Sequence, residues 1–224
     1  MERYTPLVYA IKGMNKDAVH MLLENGAIPK SDDINMAMDI HQYNIVNLLL
    51  DFGANMPQDR LYWDCEQGNL QHVIYIIEQR LIDPNIVSKL YTTPIAISCI
   101  KGHMDIVDYL LQHTNIDIND GVIGSQTLLH IATSTNNIDA ISFLLDKGAN
   151  INIQDNRGRT PLISAIDNKH TTAYKLLLER GANRFTCHTS LYDPVVRLCP
   201  EGGFQCMPDD DTVERGDPYK IERL

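Results

Sequence analysis

Apolar and polar positions alternate along the chain in a frame that runs 21 positions from start to stop and occurs six times: Thr5 to Gly26, Asp32 to Gly53, Asp59 to Arg80, Thr93 to Thr114, Thr127 to Gly148 and Thr160 to Gly181. Positions 17 and 18 after each start are aliphatic in every copy: Leu22-Leu23, Leu49-Leu50, Ile76-Ile77, Leu110-Leu111, Leu144-Leu145 and Leu177-Leu178. Apolar residues three and four apart predict two short amphipathic helices per copy. Thr or Asp at each start can accept a bond from a free helix N–H, and proline at the next position loses nothing there. Glycine at the stop suits a left-handed cap. Arg80 and Thr114 replace that glycine, so those two helices are expected to end differently. One such pair buries too little to fold alone, and a period of this size marks a solenoid in which each repeat packs on the next.

The starts are 27, 27, 34, 34 and 33 residues apart. Later copies thus carry six or seven extra residues between one stop and the next start. Projecting fingers are expected only at 84–92, 118–126 and 151–159, and repeats 1–3 are expected to join by tight helix-to-helix links.

Thr5-Pro6-Leu7, Thr93-Pro94-Ile95, Thr127-Leu128-Leu129-His130-Ile131-Ala132 and Thr160-Pro161-Leu162-Ile163-Ser164-Ala165 resemble the Thr-Pro-Leu-His-x-Ala opening of ankyrin repeats. Gly102-His103-Met104-Asp105-Ile106-Val107, Gly148-Ala149-Asn150-Ile151-Asn152 and Asp155-Asn156-Arg157-Gly158-Arg159-Thr160 resemble its second-helix start, its exit and its turn. The resemblance covers residues 1–199. It implies an all-α solenoid of six helix-turn-helix repeats with β-hairpin fingers between the later ones. One further period lands on Asp193-Pro194-Val195-Val196-Arg197-Leu198, a half-repeat expected to cap the stack through residue 199. Residues 200–224 form an acidic, turn-rich tail, expected to be mobile or to lie across the stack with Asp209, Asp210 and Asp211 near Arg157, Arg159, Arg180 and Arg184.

The resemblance also implies a way of working, in which a partner protein lies on the concave face built by finger tips and first helices. Counting from each start maps that face onto Lys89, Leu90, Tyr91, Thr92, Ile123, Gly124, Gln126, Asn156, Arg157 and Arg159 in the fingers. On the first helices it maps onto Lys12, Asp39, Ile40, Glu66, Gln67, Ile100, Lys101, Ser134, Thr135, Asp167 and Asn168. Leu90, Tyr91 and Ile123 are apolar at tips that should be wet, and apolar anchors beside arginine are the stuff of interface hot spots. In the family His130 is structural, tying adjacent turns, and His103 takes the matching role. Asn119, preceded by Asp117, resembles the segment that asparaginyl hydroxylases modify in such repeats, although simple hydrogen bonding of the turn is the favoured reading of an asparagine there. The alternative is a regulatory or targeting adaptor whose acidic tail is the binding element, with a host-interacting viral or bacterial effector as one form of it.

Composition narrows the function further. A net charge of −10 disfavours nucleic acid, which calls for a clustered positive footprint. Met1-Glu2-Arg3 runs straight into the first repeat, with no secretory or membrane-spanning run, so a cytoplasmic or nuclear monomer bound to another protein is expected. Five cysteines in such a setting predict reduced thiols. Cys187, His188, Cys199 and Cys206 lack any close Cys-x-x-Cys pair, so neither a metal nor a cofactor is expected. Adjacent Cys187 and His188 make a poor nucleophile and base, and no phosphate loop, zinc-protease helix or nucleophile elbow occurs. No enzyme is expected. Asp64 stands in the slot held by Ala10, Ala37, Ser98, Ala132 and Ala165, where a carboxylate must find water or a donor, and Trp63 takes the apolar slot beside it. Together they predict either a distorted third repeat or a partner-binding notch.

Overall fold

The computed structural model describes residues 5–88, 92–123 and 125–183. Twelve helices follow one another in that span, with no named strand among the described residues. They pair as α1 (Pro6–Lys12) with α2 (Lys16–Glu24), α3 (Ser31–Asp39) with α4 (Tyr43–Asp51), and α5 (Arg60–Gln67) with α6 (Leu70–Glu78). The later pairs are α7 (Pro94–Lys101) with α8 (Met104–His113), α9 (Leu128–Ser134) with α10 (Ile138–Asp146), and α11 (Pro161–Asp167) with α12 (Thr171–Glu179). First helices pack on first helices and second helices on second helices, giving a two-layered solenoid. The half-repeat at 193–199, the acidic tail and Cys187, His188, Cys199 and Cys206 lie outside the described residues.

A single core runs the length of the stack. Of the paired aliphatics, Leu23, Leu49, Ile76, Leu110, Leu144 and Leu177 are fully or almost fully buried, and their partners Leu22, Leu50, Ile77, Leu111, Leu145 and Leu178 are half-buried at the edge of the same core. Each fully buried aliphatic side chain contributes about 2 kcal/mol, which only stacking can supply in helices of 7–10 residues. No helix among the described residues is long and apolar enough to cross a membrane.

Capping follows the expected chemistry in part. Thr5, Thr93 and Thr160 accept bonds from Val8, Ala96 and Ile163 N–H at 3.3, 3.4 and 3.4 Å. Asp32 does not act as a cap: α3 starts one residue earlier, and the Asp33 carboxylate accepts the Lys30 N–H at 2.8 Å instead. Asp59 sits at the N-cap of α5 in a helical conformation and makes no side-chain cap bond.

The stops also divide. Gly26, Gly53, Gly148 and Gly181 are left-handed, at φ +89 to +92. Arg80 adopts the same conformation at φ +51, so its helix ends like the others in spite of the missing glycine. Thr114 does end its helix differently, in extended backbone, with its hydroxyl donating to the Leu110 carbonyl at 2.6 Å.

Fingers occur where the longer spacing puts them. Each is closed by an N–H reaching four residues ahead: Ser88 to Thr92 O, Val122 to Gln126 O, Asp155 to Arg159 O, all at 2.9 Å. Among the described residues no named strand flanks any of them. A single antiparallel bridge, Ile123 with Gln126, is all the β-pairing among the described residues. Repeats 1–3 are joined without fingers, and α3 and α5 approach less closely than any other neighbouring first helices.

Candidate functional site

The inner face is built by the C-terminal ends of the first helices and by the fingers. Lys12, Asp39, Gln67, Ile100, Lys101, Thr135, Asp167 and Asn168 are exposed there, and Ile40, Glu66 and Ser134 are half-buried. Neighbouring repeats are linked across the face by Glu66–Lys101 at 3.2 Å and by Asp39–Arg60 at 2.8 Å. Thr135 donates back to Ile131 O and Ala132 O at 3.1 Å, and Asn168 to Ser164 O at 2.8 Å, so both also finish their own helices.

The finger residues have unequal surroundings. Asn156 and Arg157 are exposed. Arg159 is half-buried and grips the Asp155 carboxylate through Nε at 3.0 Å and Nη2 at 2.8 Å, with Asp167 a further 3.7 Å contact. Asp155 also accepts the backbone N–H of Arg157 and Arg159 at 2.8 and 2.9 Å. Burial pushes the Asp155 carboxyl up, but these N–H groups and the guanidinium outweigh it and hold it below the usual carboxylate range. Arg159 thus builds its finger. Ile123 and Gln126 are half-buried and form the bridge of theirs. Thr92 is buried at 8% exposure, its N–H donating to Ser88 Oγ at 3.3 Å, so it sits at the root of the finger. Lys89, Leu90 and Tyr91 lie outside the described residues, as does Gly124.

His130 is fully buried. Its Nε2 lies 2.8 Å from the Arg159 carbonyl, which can only accept, so Nε2 carries the proton. Nδ1 then accepts from the Thr127 N–H at 3.3 Å and its hydroxyl at 3.0 Å. Burial, only partly offset by the Arg159 carbonyl and Asp155, holds the His130 pKa below the ordinary imidazole value. The ring is a neutral tie between repeats 5 and 6. His103 Nε2 ties to Glu66 O at 3.2 Å, and His170 Nδ1 to Thr133 O at 2.9 Å. Asparagines do the same on the opposite edge. Asn119 Oδ1 accepts the Asn150 N–H at 2.7 Å, and Asn152 Oδ1 accepts the Asn183 N–H at 2.8 Å. The side-chain oxygen of Asn119 is therefore part of the stacking bond.

Asp64 is fully buried and well supplied with donors. Oδ2 accepts Arg60 Nε at 2.8 Å, while Oδ1 faces Arg60 Nη2 at 3.1 Å, Asn69 Nδ2 at 3.1 Å and His72 Nδ1 at 2.8 Å. Since an ionised carboxylate only accepts, His72 Nδ1 carries a proton, and the 3.1 Å approach of Arg60 Nη2 to that nitrogen is contact without a bond. Arg60 reaches on to Asp39 at 2.8 Å and Asn35 at 3.3 Å, and His72 Nε2 meets His41 Nδ1 at 3.0 Å. Burial works against the Arg60 charge; its bonds to Asp64 and Asp39 outweigh that and raise its pKa. Tyr75 donates to Asn47 at 2.6 Å alongside. The third repeat is regular: α5 and α6 are intact, and Asp64 completes a polar junction with repeat 2. Arg60, His72 and His41 carry no signal in any motif. What marks His72 is polarity in a slot that every other repeat fills with Ala or Ile, while the slot of Arg60 holds Pro or Leu in four repeats and Asp33 in the second. Among the described residues no group of three His, Cys, Asp or Glu could hold a metal.

A family model for ankyrin repeats, in three copies, matches residues 34–121, 61–155 and 114–186. The chain is 26% identical over 214 residues to an ankyrin repeat protein of fowlpox virus, covering 92% of this chain and 35% of that one. It is 30% identical over 135 residues to one of Rickettsia felis, covering 58% and 43%, and 31% identical over 160 residues to YahD of Escherichia coli, covering 66% and 79%. It thus spans less than half the length of the fowlpox and Rickettsia relatives. Among solved structures the ankyrin repeat domain of Bcl-3 shares the fold with a TM-score of 0.65 at 22% identity, covering 82% of this chain and 89% of that one. Ankyrin repeats are in general protein–protein interaction modules, and the fold is typically non-enzymatic. With matches running from residue 34 to residue 186, more than half its length, the chain belongs to the ankyrin-repeat family.

Proposed function

We propose that this chain is a non-enzymatic module that holds another protein against its inner face, through the fingers of repeats 4–6 and the first helices beside them. One observation carries the reading. The positions seven and eight after each start stay exposed or half-buried in all six repeats, while buried residues hold the stack together. Those positions vary freely, as Lys12, Asp39, Glu66, Ile100, Ser134 and Asp167 in one row, which is the pattern of a surface open to partner selection. A pre-formed stack also loses little entropy on docking. Asn156, Arg157, Thr135 and Lys101 are the contacts we favour in the described part of the face, with Leu90 and Tyr91 at the first finger tip.

The module works in the cytoplasm in this reading, as a monomer. Cys65 and Cys99 support that setting: both thiols are free and buried, and burial pushes each pKa up to about 12, which leaves them inert in reducing surroundings.

The test is affinity capture with the full chain and with an Arg157→Glu, Thr135→Arg variant, both positions being exposed. A protein held by the wild type and lost by the variant, at an unchanged melting temperature, supports the reading. Equal capture by both sinks it.

A further inference from the structure

Neighbouring repeats touch in two layers, first helix on first helix and second on second. At every junction but one, at least one layer is closely packed: α1 on α3 and α2 on α4, α5 on α7 and α6 on α8, α7 on α9, α9 on α11 and α10 on α12. Between repeats 2 and 3 neither is, since α3 stands off from α5 and α4 from α6.

The side chains that bridge this gap form two unequal sets. Arg60, Asp64, Asn69 and His72 all belong to repeat 3 and bond one another, with Asp64 accepting from each of the other three. Arg60 also lies 4.9 Å over the ring of Trp63, in the same repeat. Arg60, Asp64 and His72 are buried, so the two buried charges are matched inside one repeat. The groups that answer from repeat 2 are of another kind. Asp39, His41 and Asn47 are exposed and Asn35 is half-buried. Asp39 and Asn35 meet Arg60, His41 meets His72, and Asn47 meets the Tyr75 hydroxyl. Water already reaches this side of the junction. Exchanging these bonds for bonds to water therefore leaves neither Arg60 nor Asp64 buried without a partner, which is the costly event.

Apolar packing beside the junction is of a yielding kind. Met38 and Met56, in α3 and in the link from α4 to α5, are the two methionines buried among the described residues. An unbranched methionine side chain refills an altered gap more readily than a branched one. Within repeats 3–6, by contrast, His103, His130 and His170 end on the backbone carbonyls of Glu66, Arg159 and Thr133, which do not move apart from their own repeats.

We propose that the junction of repeats 2 and 3 is a hinge, about which repeats 1 and 2 swing as an arm against a fixed block of repeats 3–6. The contacts of Asp39, His41 and Asn47 are released and re-made as the arm moves, while the bonds around Asp64 stay closed. Lys101, Thr135 and Arg157 all lie on the fixed block, so the swing changes the span of the inner face and leaves them in register. That consequence alone rests on the function proposed above.

Distances between paired nitroxide labels on the full chain test the hinge without any partner, so its failure is distinct from failure of the inner-face reading. Cys187→Ser, Cys199→Ser and Cys206→Ser remove the tail thiols, and Cys65 and Cys99 are buried. One pair is Asn44→Cys with Asp139→Cys, the other Gln71→Cys with Thr172→Cys; all four positions are exposed and stand 12 residues after their starts. Each pair spans three junctions. They share two and differ in one, which is that of repeats 2 and 3 for the first pair and that of repeats 5 and 6 for the second. The first distance distribution should be about twice as broad as the second. His41→Ala with Asn47→Ala should broaden the first further and leave the second unchanged. Equal widths in the parent chain overturn the hinge. So does a first-pair width that the double variant leaves unchanged, or a variant that broadens both pairs alike.

Discussion

Repeats 4–6 and repeats 1–3 stack the same helix pairs and tie them with different chemistry. In the later half most ties run from side chain to backbone: His130 to the Arg159 carbonyl, His170 to the Thr133 carbonyl, Asn119 and Asn152 to the amides of Asn150 and Asn183, with the ion pairs Lys147–Asp108 and Arg180–Asp146 beside them. Between repeats 2 and 3 the ties run from side chain to side chain, most of them charged or aromatic: Arg60 to Asp39, His72 to His41, Tyr75 to Asn47. An exposed bond from the Ser31 hydroxyl to the Asn55 carbonyl is the backbone-directed exception. A finger brings a carbonyl to the neighbouring repeat at a fixed place, as Arg159 shows. Where no finger exists, and the first helices stand further apart, long side chains span the gap.

The strongest way to break this comparison is Asp64→Ala. It leaves the Arg60 charge buried without its main partner and His72 without an acceptor, and should cost about 3–5 kcal/mol in urea denaturation. A cost below about 1 kcal/mol would show that the charged junction is not what joins repeats 2 and 3.

His130→Ala is the counterpart in the later half, with an expected cost of about 2–4 kcal/mol at pH 7.5 from a lost tie and a cavity. Its pH dependence sharpens the contrast. The folded-state pKa of His130 lies below the ordinary value of about 6.5 that the unfolded chain regains, so the unfolded chain takes up the proton first. This component of wild-type stability is constant above that value and declines as pH falls below it, down to the folded-state pKa. The deficit of His130→Ala should therefore shrink between pH 7.5 and 5.5, and a constant deficit would refute the neutral tie.

Gly68→Ala comes next. Gly68 is left-handed at φ +78, and an added Cβ would stand 2.7 Å from the His103 ring that ties to Glu66. Backbone strain together with displacement of that ring should cost about 2 kcal/mol in thermal or urea unfolding. Gly26→Ala has the same strain and open space around it, so about 1 kcal/mol is expected there. The smallest effect has the opposite sign. Arg80→Gly relieves a left-handed arginine and should raise stability by up to about 1 kcal/mol.

Periodicity made the fold legible. The paired aliphatics placed the second helices, the spacing of the starts placed the fingers, and the Thr-Pro openings placed three first helices with their caps. Caps at Asp32 and Asp59 were less legible, because an aspartate can serve from the first turn as well as from the N-cap, and Asp33 does so. Arg80 was misleading for a related reason: packing of its helix outweighs the cost of the left-handed conformation, roughly 1–2 kcal/mol. Asp64 could be recognised as anomalous from its slot alone, but not its partners. Through Arg60 and His72 it is coupled to Asp39 and His41 in the preceding repeat, and nothing in a linear frame says that residues 21 and 31 positions apart will meet. The inner-face residues were legible as exposed positions. Which of them is spent on the fold, as Arg159 and Thr92 are, depends on contacts that only the folded chain defines.

The Asp39–Arg60 pair gives ionic strength a place to act. Its carboxylate is 54% exposed although its guanidinium is buried, so salt can reach one side of the pair. At 1 M salt the screening length falls to about 3 Å, close to the length of that contact. Glu66–Lys101, Lys147–Asp108 and Arg180–Asp146 are open to the same screening, but side-chain-to-backbone ties that salt does not screen stand beside them. Added salt should accordingly act most on the coupling between the second and third repeats, where charged side chains make most of the junction.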